Sequence, residues 1–222
     1  MRPNRNTRCN STFSEVWNGQ RLDRQPLKPV SCHVFLFFDT ETTGLPRNWQ
    51  APLTDLDNWP RMVQLACLFY DDQGTRLAQE DFIIRPDGFM IPEDAARIHG
   101  ISHARAMAEG VPMHQALDRF SDLAAKADAL VAHNMAFDEK IVGAEFLRSK
   151  RPDPVATRPR ICTMLGSTEY CALPGKYGNK WPKLTELHMV LFGHGFDEAH
   201  NAAVDINATA RCFWELRKRG VV

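Results

Sequence analysis

No two of the six cysteines, Cys9, Cys32, Cys67, Cys162, Cys171 and Cys212, are spaced as Cys-x-x-Cys. They lie mostly in apolar, element-like surroundings, so buried reduced thiols are expected rather than a zinc site or a disulfide framework. A surplus of charge is also lacking. Lys and Arg total 27, Asp and Glu total 27, and the formal net charge is +0. A polycation is therefore excluded, and contact with any polyanion has to come from local positive patches or from bound metal ions. Residues 1–30 contain no apolar stretch of the kind a secretory leader needs. The run Val34 to Phe38 is far too short to cross a membrane. These absences lead to the expectation of a cytoplasmic protein that does not engage membranes. Internal repeats are absent as well.

What is present fits a chain of 222 residues with one well-buried core and an extra arm. Residues 1–30 hold Arg2, Arg5, Arg8, Arg21, Arg24 and Lys28 against Glu15 and Asp23, and show no apolar period. They read as a basic, flexible arm, and residues 31–222 as the folded domain. HVFLFFDTE is a continuous apolar run ending in carboxylates, as expected of a central strand buried on both faces. MVQLACLFYD and EDFIIRP read as two further strands, joined by a turn at Asp71 to Gly74 into a meander. Helices are expected at PEDAARIHG, Met113 to Lys126, Ala136 to Ser149, Leu184 to Phe192 and Ala202 to Arg219. In the last of these, Ile206, Ala210, Phe213 and Trp214 share a stripe. Short strands are expected at Asp128 to His133 and Arg160 to Thr163, with a Pro-rich loop over 151–159. The order predicts an α/β fold with a mixed central sheet of about five strands flanked by helices. The long connection from Gly44 to Pro60 carries Trp49 and Trp59, for which packing under the loop is favoured over stacking on bases.

Four carboxylates in three motifs carry the chemistry: Asp39 and Glu41 in FFDTETTGL, Asp138 in AHNMAFD, and Asp205 in AHNAAVDINAT. Two residues apart on one strand, Asp39 and Glu41 point to the same face. Like charges that close are costly unless cations sit between them. Hard oxygen ligands suit Mg²⁺ or Mn²⁺. Taken alone, Asp138 reads equally well as an acidic residue in a helix's first turn, where the dipole favours it. Likewise His200, five residues before Asp205, is by itself an ordinary surface histidine, as are His99 and His133. Together they make a set that can hold two cations about 3.5–4 Å apart beside a base, which is a machine for cleaving phosphodiesters.

These motifs, with IPEDAARIHGIS, resemble the DEDDh (DnaQ-like) exonucleases, the group that includes the proofreading subunit of a bacterial replicative polymerase. The resemblance spans roughly residues 33–217, with the motifs in the family's order. It implies a ribonuclease H-like fold and 3′→5′ hydrolysis of nucleic acid to nucleoside monophosphates. It further implies that Asp39, Glu41, Asp138 and Asp205 ligate two divalent cations, Mg²⁺ or Mn²⁺, and that His200 is the general base. A histidine at 200, not a tyrosine, points to the DEDDh branch. Thr42, Thr43 and Leu45 are implied contacts to the terminal nucleotide, with His99 and Asn134 as further substrate contacts. The expected partner is a single-stranded 3′ end, DNA favoured over RNA. An exoribonuclease, and a non-catalytic nucleic-acid-binding module on the same fold, are the competing expectations. The chain's end at Val222, just past the last expected helix, favours a stand-alone or accessory nuclease. Gln115 to Phe120 is a distant lookalike of a sliding-clamp motif, but core packing explains Leu117 and Phe120 better.

Overall fold

Strand β1, Val34–Thr42, is the centre from which the architecture follows. Its side chains alternate between two faces, and both faces are apolar. Leu36 and Phe38 enter one buried cluster with Leu117, Phe120, Val142 and Phe146. Phe35 and Phe37 enter another with Ala202, Ile206, Ala210 and Phe213. A strand covered by helices on both sides needs an unbroken apolar run, which is what the sequence shows. The computed structural model describes residues 33–196 and 201–222. The basic arm expected at 1–30 lies outside the described residues.

The main sheet has the order β3-β2-β1-β4-β5. Strands β2 (Met62–Asp71) and β3 (Arg76–Ile83) form an antiparallel meander with β1, whereas β4 (Ala129–Ala132) and β5 (Arg160–Cys162) continue the sheet in parallel. The β2–β3 turn closes because Asp71 Oδ1 accepts from the Gln73 and Thr75 amides at 3.0 and 2.8 Å, with Gly74 at φ 78°. Helices α1 (Glu93–His99), α2 (His103–Glu109) and α3 (Met113–Lys126) link β3 to β4. Helix α4, Met135–Arg148, follows β4. Helices α5 (Thr163–Cys171), α6 (Leu184–Phe192) and α7 (Ala202–Lys218) follow β5, with a small hairpin of β6 (Pro174–Gly175) and β7 (Gly178–Asn179) before α6. The expected mixed sheet of five strands flanked by helices is thus observed.

Strand β3, helices α2 and α5 and the β6–β7 hairpin differ from the sequence reading. β3 starts at Arg76, because antiparallel pairing propagates from the tight turn, and ends at Ile83 before Pro86. Helix α2 was not expected; Ser102 caps it, its hydroxyl accepting from Arg105 N at 3.1 Å. Helix α5 and the β6–β7 hairpin occupy a stretch without a clear apolar period. Leu117 and Phe120 are wholly buried in the core, which bears out the packing account of that segment. Cys67 and Cys212 are buried, and Cys162 and Cys171 partly so, all four as free thiols. Among the described residues, no helix is long and apolar enough to cross a membrane.

Candidate active site

The run of β1 ends in Asp39-Thr40-Glu41-Thr42, and the alternation of the strand divides these four between its faces. Asp39 and Glu41 continue the face of Phe35 and Phe37, against which α7 packs. Asp205 lies in the first turn of that helix. The helix start is held in place twice. The Asn201 side chain accepts from Ala203 N at 3.0 Å, and Gln64 of β2 accepts from Ala202 N at 3.3 Å. Gln64 stands opposite Glu41 in the ladder, so the helix is tied to the strand that flanks the acidic pair. As a result Asp39, Glu41 and Asp205 each place a carboxylate oxygen within 4.8 Å of the others.

Asp138 arrives from the other face. Asn134 turns the chain out of β4 in a left-handed conformation, φ 63°, which asparagine tolerates better than most residues. That turn starts α4 so that Asp138 falls in its first turn, 3% exposed. Its Oδ1 accepts from Thr40 N at 3.0 Å and from the Thr40 hydroxyl at 2.7 Å. The structure therefore joins three of the four expected ligands in one tight group and holds the fourth alongside through Thr40.

Burial, and after it mutual repulsion, raises the pKa values of this group. Burial raises the Asp39 carboxyl well above its usual value, and Asp138, Asp205 and Glu41 push it further. Burial followed by Asp205 and Asp138 lifts Glu41 to about 8. Burial raises Asp138 to about 7, against the lowering effect of the two Thr40 bonds. Such a cluster has to take up protons or cations to be stable. Among the described residues the grouped donors are carboxylate oxygens, and they fit a hard divalent cation.

A family comparison decides what this cluster belongs to. The sequence model of the exonuclease family, RNase_T, matches residues 36–213. The chain belongs to this family. The DEDDh resemblance and the ribonuclease H-like fold are borne out at that level. No curated protein sequence matches the chain. Among solved structures it is similar to the zinc-bound complex of Escherichia coli exonuclease I with single-stranded DNA, at 22% identity and a TM-score of 0.67, covering 84% of this chain and 41% of that one. A complex of the same enzyme with a dT13 oligonucleotide gives 24% identity, a TM-score of 0.65 and the same coverage. The chain thus spans about two fifths of the length of these relatives, and at such identity the likeness speaks for the fold.

In this family member the remaining expected site residues fall into distinct settings. His200 lies outside the described residues. Thr42 is buried and its hydroxyl donates to Gly44 O at 2.6 Å. Thr43 uses its amide on Arg61 O at 2.9 Å and accepts from Arg61 N at 3.0 Å, closing the base of the 44–60 loop. Leu45, by contrast, is 73% exposed. The loop walls a cleft of about 580 Å³ whose lining includes Thr43, Leu45, Arg47, Asn58 and Arg61. Trp59 packs inside the loop, its indole donating to Pro52 O at 3.1 Å, while Trp49 stays exposed with its ring 5.7 Å from that of Phe137. His99 is buried rather than a surface residue; its Nδ1 accepts from Ile101 N at 3.1 Å, and burial lowers its pKa despite the nearby Thr42 backbone.

Sequence reasoning missed Thr40 and Gln64, which position Asp138 and α7. Gln64 had a signal, as a lone polar residue in the apolar run of β2. Thr40 had none, because a threonine in a strand is ordinary. Glu145 was missed too. It is 0% exposed and accepts from Arg61 Nε and Arg148 Nη1, both at 2.8 Å, while Arg148 also donates to Leu56 O and Trp59 O. This network ties the 44–60 loop to the helix that bears Asp138.

Proposed function

We propose that the chain is a metal-dependent 3′→5′ exonuclease that releases nucleoside 5′-monophosphates from single-stranded DNA. The observation that carries this reading is the convergence of Asp39, Glu41 and Asp205 within 4.8 Å, with Asp138 fastened beside them. These four carboxylates would hold two divalent cations, Mg²⁺ or Mn²⁺. When bound, the cations offset the negative charge of the phosphate and of the departing 3′-oxygen and acidify a nearby water. Both bonds from Thr40 fall on Oδ1 of Asp138, so Oδ2 would be the oxygen offered to a cation.

The general base in this reading is His200, the residue before the cap of α7. It takes the proton of the attacking water as the new P–O bond forms and the bond to the 3′-oxygen breaks. The motif AHNAAVD, with His200 five residues before Asp205, supports the assignment. Leu45, exposed at the mouth of the 44–60 cleft, is the wedge against the terminal base. Thr42, Thr43, His99 and Asn134 are the further contacts to the 3′ nucleotide in this reading. DNA is favoured because the exonuclease I relatives are described as complexes with single-stranded DNA, dT13 and dA16. Residues 31–222 form the catalytic domain, and residues 1–30 an arm outside the chemistry.

The test is a time course on 5′-labelled single-stranded DNA and RNA of one sequence, with Mg²⁺, Mn²⁺ or EDTA, beside Asp205→Ala. A metal-dependent ladder that shortens from the 3′ end of DNA, absent in the variant, is the expected result. Faster loss of the RNA would make the chain an exoribonuclease. Binding of both strands without cleavage under any metal would make it a non-catalytic module.

A further inference from the structure

Outside the acidic cluster, the most exposed aromatic rings among the described residues lie in and just after the β6–β7 hairpin. Tyr177 at its tip is 90% exposed and Trp181 is 65% exposed. Neither ring belongs to a buried cluster among the described residues. The segment 174–183 also carries Lys176, Lys180 and Lys183 and no acidic residue. Lys180 pairs with Glu186 at 2.6 Å, and the Lys176 ammonium sits 5.0 Å from the centroid of the Tyr177 ring. In a chain of zero net charge this is a local patch of the kind a polyanion needs.

The patch is also held in a defined place. β4 runs parallel to β1, with Val131 opposite Phe37, so His133, one residue past β4, stands at the sheet end that bears Asp39. Adjacent strands are about 4.8 Å apart. His133 Nε2 lies 3.1 Å from Pro182 O and its Nδ1 3.0 Å from the Thr163 hydroxyl. A carbonyl only accepts, so the proton is on Nε2 and Nδ1 accepts from Thr163. Pro182 is buried under this clamp, between Trp181 and Lys183. The hairpin itself is tight: a Cβ on Gly175 would meet Gly178 O at 2.9 Å and Lys180 Cβ at 3.0 Å. The aromatics are therefore presented from a clamped support at the carboxylate end of the sheet.

We propose that the β6–β7 hairpin and the adjoining Trp181 form a docking surface for the single-stranded DNA upstream of the 3′ end being cut. Tyr177 and Trp181 stack on bases, and Lys176 and Lys183 meet phosphates. This rests on the exonuclease reading and extends it from the terminal nucleotide to the strand behind it. Stacking on aromatic rings tolerates any base, as a processive or sequence-blind nuclease requires.

The experiment measures the affinity of a 5′-labelled oligothymidylate of about 20 nucleotides by fluorescence anisotropy in EDTA, where no cleavage occurs. Tyr177→Ala/Trp181→Ala is expected to raise Kd about tenfold or more, since each lost stack is worth about 1–3 kcal/mol. Lys176→Gln/Lys183→Gln is expected to flatten the dependence of log K on log salt, by about 0.7 per lysine. With Mg²⁺, the preference in kcat/KM for the long strand over a dinucleotide should shrink in both double variants. Wild-type Kd and salt slope in both would overturn the proposal and leave the aromatics to a protein partner. Failure of the wild type to cleave either length would instead overturn the exonuclease reading, and the binding result would still report on the hairpin.

Discussion

At the scale of single residues, the site is a problem of negative charge solved by geometry. Asp39 and Glu41 stand on β1, Asp205 in the first turn of α7, and Asp138 on α4 is bonded to Thr40. Asp39→Ala and Asp205→Ala each delete a proposed cation ligand, and turnover on single-stranded DNA should fall to background. His200→Ala should lower kcat by about 10²–10⁴-fold while Mg²⁺ binding, read by thermal shift, is retained; a wild-type kcat would remove the residue from its assigned role. A pH effect follows from Glu41. It ionises near 4.5 in the unfolded chain and near 8 in the cation-free fold. Between these values the folded state keeps a proton that the unfolded chain has released, so this group's contribution to stability is lost as pH rises. Asp138, raised to about 7, acts in the same direction. In EDTA the melting temperature should therefore be lower at pH 8 than these groups allow at pH 6. Mg²⁺ should raise it more at pH 8, where fewer protons compete for the oxygens. Equal Mg²⁺ shifts at the two pH values would show that the cluster is not what binds the cation.

At the scale of elements, the strands and helices that bear the motifs were legible, and the devices that aim them were not. The double-sided apolar run of β1, the amphipathic stripe of α7 and the boundaries of α3 and α6 follow from periodicity alone. Helix α2, with little periodicity in its seven residues, emerges only because Ser102 caps it and Ala106 packs under it. The segment that follows the hairpin is likewise held by a tertiary contact, the His133 clamp on Pro182. The same holds for the Glu145 network, in which one carboxylate serves two arginines and the Met62 amide at 3.2 Å. Glu145→Ala leaves two arginines facing each other without their counter-ion. It should destabilise the fold by about 3 kcal/mol in urea titration, toward the lower end for a broken buried pair because both arginines keep some contact with water. Loss of the 44–60 loop anchor should also raise KM more than it lowers kcat. A variant as stable as the wild type would show that the loop is held by the buried Trp59 instead.

At the scale of the whole molecule, zero net charge means that affinity for a polyanion is a matter of where the charges stand. Residues 1–30 concentrate basic side chains, while residues 33–222 carry the hairpin lysines and the carboxylate cluster. Deleting residues 1–30 should leave kcat on a short oligonucleotide unchanged. If the arm touches nucleic acid, deletion should weaken binding of a long strand and flatten its salt dependence; identical salt slopes would discard a binding role for it. What the sequence determined by itself is the list of chemically able residues and the order of the elements that carry them, because apolar period and motif spacing are local properties. The tertiary structure alone decided which of those residues meet. Asp39, Glu41 and Asp205 share one face because β1 and α7 pack there, while Asp138 comes from the opposite face and is held through Thr40. Repulsion among carboxylates depends on distance and burial, and neither exists until the sheet and its helices have closed around them.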